Sequence, residues 1–334
     1  MIHATVTAAE IERLSCLALV RAGTSPENAH SVAASVALAE LQGISSHGLL
    51  RLGTYCDHAA CGKVDGRAKP ELSKPRPGLV VVDAKTGFAH PAIDLGVPAL
   101  VEAARANGTA MLGVVNSYNC GIVGDHVARI AREGLVALGF VNAPASIAPW
   151  GGRTALFGTN PVAFAAPRAD GDPLVLDQSS SVVARGEIML RAKSGEPIPE
   201  GWALDAQGNP TRDAAAALKG SLLPAGGHKG SGQALMVEIL AAALTGAHFG
   251  FEASSFATPD GGPPRTGQAF FAVDPAAFGP GFGERVAALM ARMTEQPGVR
   301  VPGAKRAAAA ATGRAHGIRL TVANLADLRQ RAGE

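Results

Sequence analysis

A histidine, an arginine and two serines are clustered in the stretch SSHGLLR, residues 45–51. His47 and Arg51 are four residues apart, so they share one face if this stretch is helical. A guanidinium binds a carboxylate through two parallel hydrogen bonds, and an imidazole one turn away could give a proton to an atom near that carboxylate. The spacing suits a small 2-oxo acid or its cyclic imine. It equally fits a structural alternative, in which Ser46 caps a helix, Arg51 is solvated and His47 is a hydrogen-bonded core residue.

Glycines crowd the start of a strongly apolar predicted helix in GGHKGSGQALMVEIL, residues 226–240. Small residues leave backbone N–H groups free at a helix N-terminus, where they bind anions, and Lys229 adds a full charge. The pattern predicts a phosphate or pyrophosphate site, or alternatively a glycine-rich turn with a solvated lysine. It is neither a Walker A motif nor a GxGxxG fingerprint, so a Rossmann domain is not supported.

Two further stretches combine a strand with a polar turn. In FGTNPVAFAAP, residues 157–167, Thr159 and Asn160 could face a substrate carboxylate or simply form a turn. In VVNSYNCGIVGDH, residues 114–126, a strand leads through a glycine turn into a helix, which also suits a nucleotide phosphate.

The composition of the 334 residues excludes several classes of protein. The net charge is +2, and no basic run alternates with aromatic residues, so we expect no nucleic-acid partner. We find neither a signal-peptide pattern nor 18 apolar residues in a row, so we expect no membrane association. The four cysteines lack the spacing of a zinc site or a disulfide framework, which predicts reduced thiols, no metal and a cytoplasmic location.

The elements that must position these residues change type along the chain. Two helices are predicted within the first 43 residues, capped at Thr7 and Ser25, and a third begins near Ser46 and ends by residues 62–66. Strands then alternate with helices, which predicts the α/β class. Residues 191–226 are rich in Gly and Pro and are expected to be an ordered excursion. The apolar helix that follows is expected to be buried on most faces.

Seven stretches occur in the order found in the malate/L-lactate dehydrogenase-like oxidoreductases, and the chain resembles this family from about residue 5 to 306. Within the family, GGHKGS and RTGQAFFAVDP are most similar to the Δ1-piperideine-2-carboxylate/Δ1-pyrroline-2-carboxylate reductases. The seven stretches are SSHGLLRLGTY, VVNSYNCG, FGTNPVAFAAP, LDQSSSVVARGEI, PEGWALDAQGNPTRDAAAALKG, LLPAGGHKGS and ALTGAHFGFEA.

The resemblance implies a non-Rossmann α/β fold with a mixed or antiparallel central sheet flanked by helices. It implies an N-terminal helical region at 1–75, a cofactor-binding core at 76–306 that contains the excursion, and a helical tail at 307–334. It also implies a homodimer that uses NADPH, with NADH possible, to reduce a cyclic imine carboxylate to L-pipecolate or L-proline.

The resemblance further assigns roles to individual residues. His47 corresponds to the proton donor, Ser46 to its hydrogen-bonded companion, and Glu187 to the acid that orients the histidine, where the family usually has Asp. Arg51 and Thr159 correspond to substrate ligands. The residues that correspond to cofactor ligands are Asn119, Cys120, Gly121, Ile122, Val123, Asp177, Gln178, Ser179, His228, Lys229, Gly230, Ser231, Gly232, Gln233, Ala234, Lys305 and Arg306.

Two other functions remain open from the sequence. The same donor and carboxylate ligand would serve a ketone, so an NAD(P)-dependent 2-hydroxyacid dehydrogenase of the malate, lactate or ureidoglycolate type is the first alternative. The second is a ligand-binding homologue without catalytic activity.

Overall fold

Three helices form the N-terminal part of the chain in the computed structural model, which describes residues 2–169 and 171–334. The elements are β1 (His3–Val6), α1 (Ala8–Arg21), α2 (Pro26–Leu41) and α3 (Leu49–Ala60). The hydroxyls of Thr7 and Ser25 accept backbone N–H groups of the first helical turns, so both predicted caps are confirmed. The third helix begins at Leu49, later than predicted, because Gly48 has a non-helical conformation and residues 45–48 form a turn. Ser46 and His47 therefore precede the helix.

Strands and helices alternate through the next part of the chain, as predicted. The elements are β2 (Glu71–Arg76), β3 (Leu79–Asp83), α4 (Ala89–Asn107), β4 (Thr109–Ser117), α5 (Val123–Arg132), β5 (Val136–Val141), β6 (Val162–Arg168) and β7 (Gly171–Gln178). Helix α4 continues through Pro98, although a proline in a helix interior commonly breaks or kinks the helix.

The excursion is an ordered subdomain that is inserted after β7. Its elements are α6 (Arg185–Ser194), β8 (Ala203–Leu204), β9 (Pro210–Thr211), α7 (Ala214–Lys219) and β10 (Ser221–Leu222). The three strands form an antiparallel sheet in the order β10-β8-β9. Ile188, Ile198 and Leu222 form a small core together with Ile147 and Phe157 from outside the subdomain. Trp202 packs against this core.

The remaining chain returns to the main sheet and then to the N-terminal helices. The elements are α8 (His228–Val237), a π-helical segment (Glu238–Ala243), β11 (Thr266–Val273), a 3-10 helix (Pro275–Phe278), α9 (Phe282–Thr294), α10 (Ala304–His316), β12 (Ile318–Thr321) and α11 (Val322–Ala332). Strand β12 pairs with β1, and Leu325 and Leu328 of α11 share a core with Leu14 and Val36. The domain limits proposed from the sequence stay a prediction.

The central sheet has seven strands in the order β2-β3-β4-β11-β5-β6-β7. Strands β3 and β4 are parallel, and the other neighbours are antiparallel, so the predicted mixed sheet is confirmed. Alternate residues point to opposite faces. Phe270 packs among the apolar residues of α4 and α5, whereas Phe140 packs against Val237 at the end of α8 and Ala241 in the π-helical segment.

Helix α8 and its π-helical continuation are buried on one side only, so the prediction of burial on most faces was wrong. Val237 and Ala241 face the sheet. The four residues that we call the α8 strip, which are 41–59 % exposed, are Leu235, Met236, Ile239 and Leu244. An exposed group of large apolar side chains marks a surface on which another molecule can pack. In the described part of the chain, no helix is long and apolar enough to cross a membrane.

Candidate active site

His47 and Arg51 lie together at the beginning of α3. The Ser46 hydroxyl is 3.1 Å from His47 Nδ1, and the N–H of Arg51 donates to the carbonyl of Gly48 at 2.9 Å. Burial, together with the smaller effect of the Arg51 charge, lowers the pKa of His47 to about 4. The imidazole is therefore neutral at pH 7 in the free protein, beside a guanidinium whose charge never changes.

The guanidinium of Arg51 has a donor that the described protein does not use. Its Nε is buried and has no hydrogen-bond partner among residues 2–169 and 171–334. Its charge lowers the pKa of the Tyr55 and Tyr118 phenols, against the stronger effect of burial, which raises both. An unpaired buried donor is costly, so the site is complementary to an anion that accepts from it.

Two buried tyrosine rings lie near this cation, and no sequence motif predicted them. Tyr118 has its ring 5.8 Å from that of Tyr55 and 5.1 Å from that of Phe256, and His58 Nδ1 is 2.6 Å from the Tyr118 hydroxyl. The chain has only two tyrosines, and both are here. One signal was available, because Tyr55 follows Arg51 by four residues and so shares its helix face.

Hydrogen bonds to the Asn119 side chain hold the predicted cofactor stretch 119–123 in place. Asn119 Oδ1 accepts hydrogen bonds from the Tyr55 hydroxyl at 2.6 Å and from the Gly121 N–H at 2.9 Å. Gly121 has a φ of +70°, and a Cβ there would lie 2.8 Å from the Ser35 hydroxyl. The side chains of Cys120, Ile122 and Val123 are buried, so the backbone is what this stretch can offer to a cofactor.

Asp177 lies at the end of β7, between the start of α5 and α10. Its Oδ2 accepts from the Gly124 N–H at 3.1 Å and from Arg306 Nη1 at 3.0 Å. The charge of Asp177 raises the pKa of His47, and that of Arg306 lowers it. The structure therefore brings Asp177 and Arg306 to the neighbourhood of the histidine, although they are 129 residues apart in the sequence.

The segment that carries Thr159 is held by buried polar groups. The backbone carbonyl of Thr159 accepts hydrogen bonds from the Ser180 N–H at 2.8 Å and from the Ser179 hydroxyl at 3.1 Å. Asn160 is fully buried with a φ of +39°, and its amide donates to Glu238 Oε1 at 3.0 Å. Glu238 was not predicted. Burial raises the pKa of its carboxyl, while hydrogen bonds from Asn160 and the Gly250 N–H lower it.

The glycine-rich start of α8 adjoins this segment. Gly227, with a φ of +64°, is the N-cap, and no side chain in the described structure caps the helix. A Cβ on Gly230 would lie 2.3 Å from the carbonyl of Ala225 and 2.9 Å from that of Ser180, so the backbones pack closely. His228 and Lys229 are exposed at this uncapped N-terminus. The donor set fits a phosphate group.

The remaining predicted residues have the following positions. Gln178, Gly232 and Lys305 are exposed, whereas Ala234 is buried. The backbone N–H of Trp150 donates to the Ser231 hydroxyl, and the side-chain Nε2 of Gln233 donates to the Ser180 hydroxyl.

Glu187 is the predicted site residue that the structure places in a different pairing. Its Oε1 accepts from Arg191 Nε at 3.1 Å, one turn along α6. Asp177 is the carboxylate whose charge acts on His47. The proposed orienting role of Glu187 has no support from this geometry and stays a prediction.

Comparison with known proteins gives a consistent family. A family model described as malate/L-lactate dehydrogenase matches residues 6–329. The chain is 49 % identical over 299 residues to a (2R)-3-sulfolactate dehydrogenase (NADP(+)) of Chromohalobacter salexigens, which covers 89 % of each chain. It is 42 % identical over 324 residues to a Δ1-pyrroline-2-carboxylate reductase of Ancylobacter novellus, which covers 96 % of this chain and 95 % of the relative.

Solved structures have the same fold. The crystal structure of a Δ1-piperideine-2-carboxylate reductase from Pseudomonas syringae superposes with a TM-score of 0.94 at 39 % identity, over 98 % of this chain and 99 % of the other. A malate dehydrogenase from Entamoeba histolytica superposes with a TM-score of 0.91 at 25 % identity, over 99 % and 98 %.

Proposed function

The chain belongs to the malate/L-lactate dehydrogenase family of nicotinamide-dependent oxidoreductases, and from that premise we propose that it reduces cyclic imine carboxylates with NADPH. The substrates are Δ1-piperideine-2-carboxylate, which gives L-pipecolate, and Δ1-pyrroline-2-carboxylate, which gives L-proline. The observation that carries the proposal is the buried, unpartnered Nε of Arg51, four residues after His47 and close enough for the charge of Arg51 to lower the pKa of that histidine. A carboxylate that is attached to the reacting carbon would occupy this donor.

Arg51 and His47 divide the work of the reaction. Arg51 holds the carboxylate, which fixes the C=N bond next to it beside His47. NADPH, when bound, would supply the hydride that reduces C2, and one proton must reach or stay on the nitrogen to complete the amine. A carboxylate on Arg51 offsets the positive charge that lowers the pKa of His47, so substrate binding favours protonation of the imidazole. His47 then supplies that proton to the nitrogen.

Three backbone segments would hold the cofactor. The uncapped start of α8, with Lys229, offers N–H groups and a positive charge to the phosphates. The turn 119–123 offers backbone groups, and the end of β7 carries Asp177, whose charge raises the pKa of His47. Lys305 and Arg306 at the start of α10 provide cations for the 2′-phosphate that distinguishes NADPH from NADH.

A 2-hydroxyacid dehydrogenase is the second candidate, because the sulfolactate dehydrogenase is 49 % identical to this chain. The same arginine would hold the carboxylate of a 2-oxo acid. A ketone differs from an imine in one requirement. Its oxygen must receive a proton as the hydride arrives, whereas an imine nitrogen can bring its proton with it. The ketone reaction therefore depends more strongly on a protonated His47.

A substrate panel that follows NADPH absorbance at 340 nm tests the proposal. It compares the two cyclic imines with pyruvate, pyruvate plus methylamine, and the 2-oxo acid of 3-sulfolactate. We expect the highest kcat/KM for a cyclic imine and near-complete loss in His47→Ala. A preference for an oxo acid without amine would favour the second candidate. A protein without catalytic activity that fails to gain thermal stability with NADPH would contradict both.

We also infer a homodimer in which a second copy covers the α8 strip. The relevant observation is the 41–59 % exposure of its four large apolar side chains next to the proposed phosphate site. Met236→Glu should weaken association, which analytical ultracentrifugation measures, whereas a monomeric wild-type protein would contradict the inference. All four cysteines are free. The cytoplasmic location that the sequence predicts stays part of this proposal.

A further inference from the structure

We propose that Glu40 is a positioning residue whose carboxylate fixes the turn 45–48 and thereby the imidazole of His47. This inference rests on the proposed function, because it gives Glu40 a role in the reaction only through the histidine. Glu40 lies in the last turn of α2, and no motif pointed to it.

One carboxylate binds both ends of the turn. Glu40 Oε2 accepts from the Ser45 hydroxyl at 3.0 Å, and Glu40 Oε1 accepts from the Leu49 N–H at 2.8 Å. Ser45 and Leu49 flank His47 by two residues on each side. Inside the turn, the His47 N–H donates to the carbonyl of Ile44 at 2.9 Å. The histidine is therefore at the centre of a loop whose two ends are held by the same group.

Glu40 also replaces a missing helix cap. The N-cap of α3 is Gly48, which has no side chain to accept the free N–H groups of the first turn. The carboxylate of Glu40 accepts one of them from a different helix and places a negative charge at the positive end of the α3 dipole. This contact explains why an acid is tolerated at a position that is only 7 % exposed.

The packing around residue 48 shows how closely the two elements meet. A Cβ on Gly48 would lie 2.2 Å from Glu40 Oε1 and 2.7 Å from its Cδ. Any side chain at position 48 would therefore displace the carboxylate. The glycine of the SHG stretch permits this approach, and Glu40 uses it to hold the turn.

The test compares Glu40→Ala with Glu40→Gln, and uses Glu27→Ala as a matched control. Glu27 is exposed on the same helix. Two measurements are needed. The first is kcat and KM for the substrate that the panel identifies. The second is the NMR titration of the His47 ring, whose signals are assigned by their loss in His47→Asn. The titration requires no turnover.

We expect Glu40→Ala to lower kcat about tenfold or more and to change KM less than about threefold, because a misplaced donor affects the reaction whereas Arg51 stays on the helix. The pKa of His47, which burial lowers to about 4, should rise toward its ordinary 6.5 as the released turn becomes solvated. Glu40→Gln keeps the acceptor for Leu49 and should retain about a third of kcat or more. Glu27→Ala should match the wild type.

A folded Glu40→Ala variant with wild-type kcat and wild-type His47 titration would overturn the proposal. If that variant does not fold, Glu40→Asp decides. It keeps the charge but withdraws the carboxylate by one methylene, so wild-type values in this variant would also overturn it. If the wild-type protein reduces no imine and no oxo acid, the proposed function fails, and the His47 titration still decides whether Glu40 holds the turn.

Discussion

The hydroxyl of Tyr55 donates a hydrogen bond to Asn119 Oδ1 at 2.6 Å. This bond joins the helix that carries Arg51 to the turn that precedes α5. The same oxygen of Asn119 accepts a hydrogen bond from the Gly121 N–H at 2.9 Å. The Asn119 side chain therefore holds the turn, and the Tyr55 hydroxyl holds the Asn119 side chain. The proposed substrate ligand and the proposed cofactor turn are thus parts of one rigid unit.

Removal of that phenol should loosen the cofactor side. Tyr55→Phe leaves Asn119 with one of its two hydrogen bonds, so we expect a loss of about 1 kcal/mol in the free energy of unfolding and a severalfold rise in the Kd for NADPH. Urea denaturation and NADPH fluorescence measure the two effects. Tyr118→Phe, which removes the bond to His58, is the control and should reduce stability without changing the Kd. An unchanged Kd in Tyr55→Phe would contradict the prediction.

Arg51 should be irreplaceable by another cation. Arg51→Lys keeps the charge but loses Nε and the two-pronged geometry that matches a carboxylate. We expect KM for the carboxylate substrate to rise about 10- to 100-fold, with a smaller change in kcat, because a charge-assisted bond contributes roughly 1.5–3 kcal/mol. Steady-state kinetics at saturating NADPH measure this. An unchanged KM would mean that the carboxylate binds elsewhere.

His90 should make the protein sensitive to acid. It is 2 % exposed, neither ring nitrogen has a hydrogen-bond partner in the described structure, and burial lowers its pKa to about 3. Between its ordinary pKa of 6.5 and that value, the unfolded chain binds a proton that the native protein does not. Stability is therefore complete above pH 6.5 and is lost as the pH falls, by at most about 1.4 kcal/mol per pH unit from this group.

His90→Leu should flatten this dependence. At pH 7 it should be neutral or slightly stabilising, because it removes a buried polar group without partners. The advantage over the wild type should grow at pH 5, as urea denaturation at the two pH values would show. His30→Leu is the exposed control and should leave the slope unchanged. Equal slopes for His90→Leu and the wild type would show that His90 is not the responsible group.

The sequence predicted those elements of the fold that have local signals. The caps at Thr7 and Ser25 and the alternation of strands with helices follow from adjacent residues, and the structure has them. Strand β2 (Glu71–Arg76) was not predicted, because it is an exposed edge strand without an apolar alternation. The insertion of β11 between β4 and β5 depends on pairing between residues more than 100 positions apart, for which a single sequence has no signal.

The same distinction applies to the candidate site. The spacing of His47 and Arg51 is local, and it was sufficient to place both groups at one helix start. The pairing of Asp177 with Arg306 and the two contacts of Glu40 depend on tertiary packing. The aromatic surroundings of Arg51 come from three separate segments, which only the folded chain brings together.

Lys63 should hold the loop that presents Phe256. This lysine is fully buried, and its ammonium donates to the carbonyls of Thr258 at 2.8 Å and Asp260 at 2.5 Å. Lys63→Met leaves both carbonyls without this donor, so we expect a loss of about 2 kcal/mol or more and faster hydrogen exchange in residues 254–262. Mass spectrometry measures the exchange, with the exposed Lys69→Met as control. Wild-type exchange in this loop would contradict the anchoring role.

Lys305 and Arg306 should affect the choice between NADPH and NADH in different ways. Lys305 is exposed, so its only expected contribution is to the 2′-phosphate. Arg306 also binds Asp177, and its charge lowers the pKa of His47. We expect Lys305→Ala to raise KM for NADPH by up to about tenfold and to leave KM for NADH unchanged, since NADH lacks the phosphate that the charge would bind.

Arg306→Ala should produce the same change in cofactor preference and one more effect. Without the guanidinium, less positive charge acts on the imidazole, so the pKa of His47 should rise from about 4, which an NMR titration of both variants measures. A rise in Arg306→Ala but not in Lys305→Ala would separate the two roles of the arginine. A residue that binds the 2′-phosphate must discriminate between the two cofactors. If Arg306→Ala raises KM equally for NADPH and NADH, the arginine therefore does not bind the 2′-phosphate and acts through Asp177 and the start of α5.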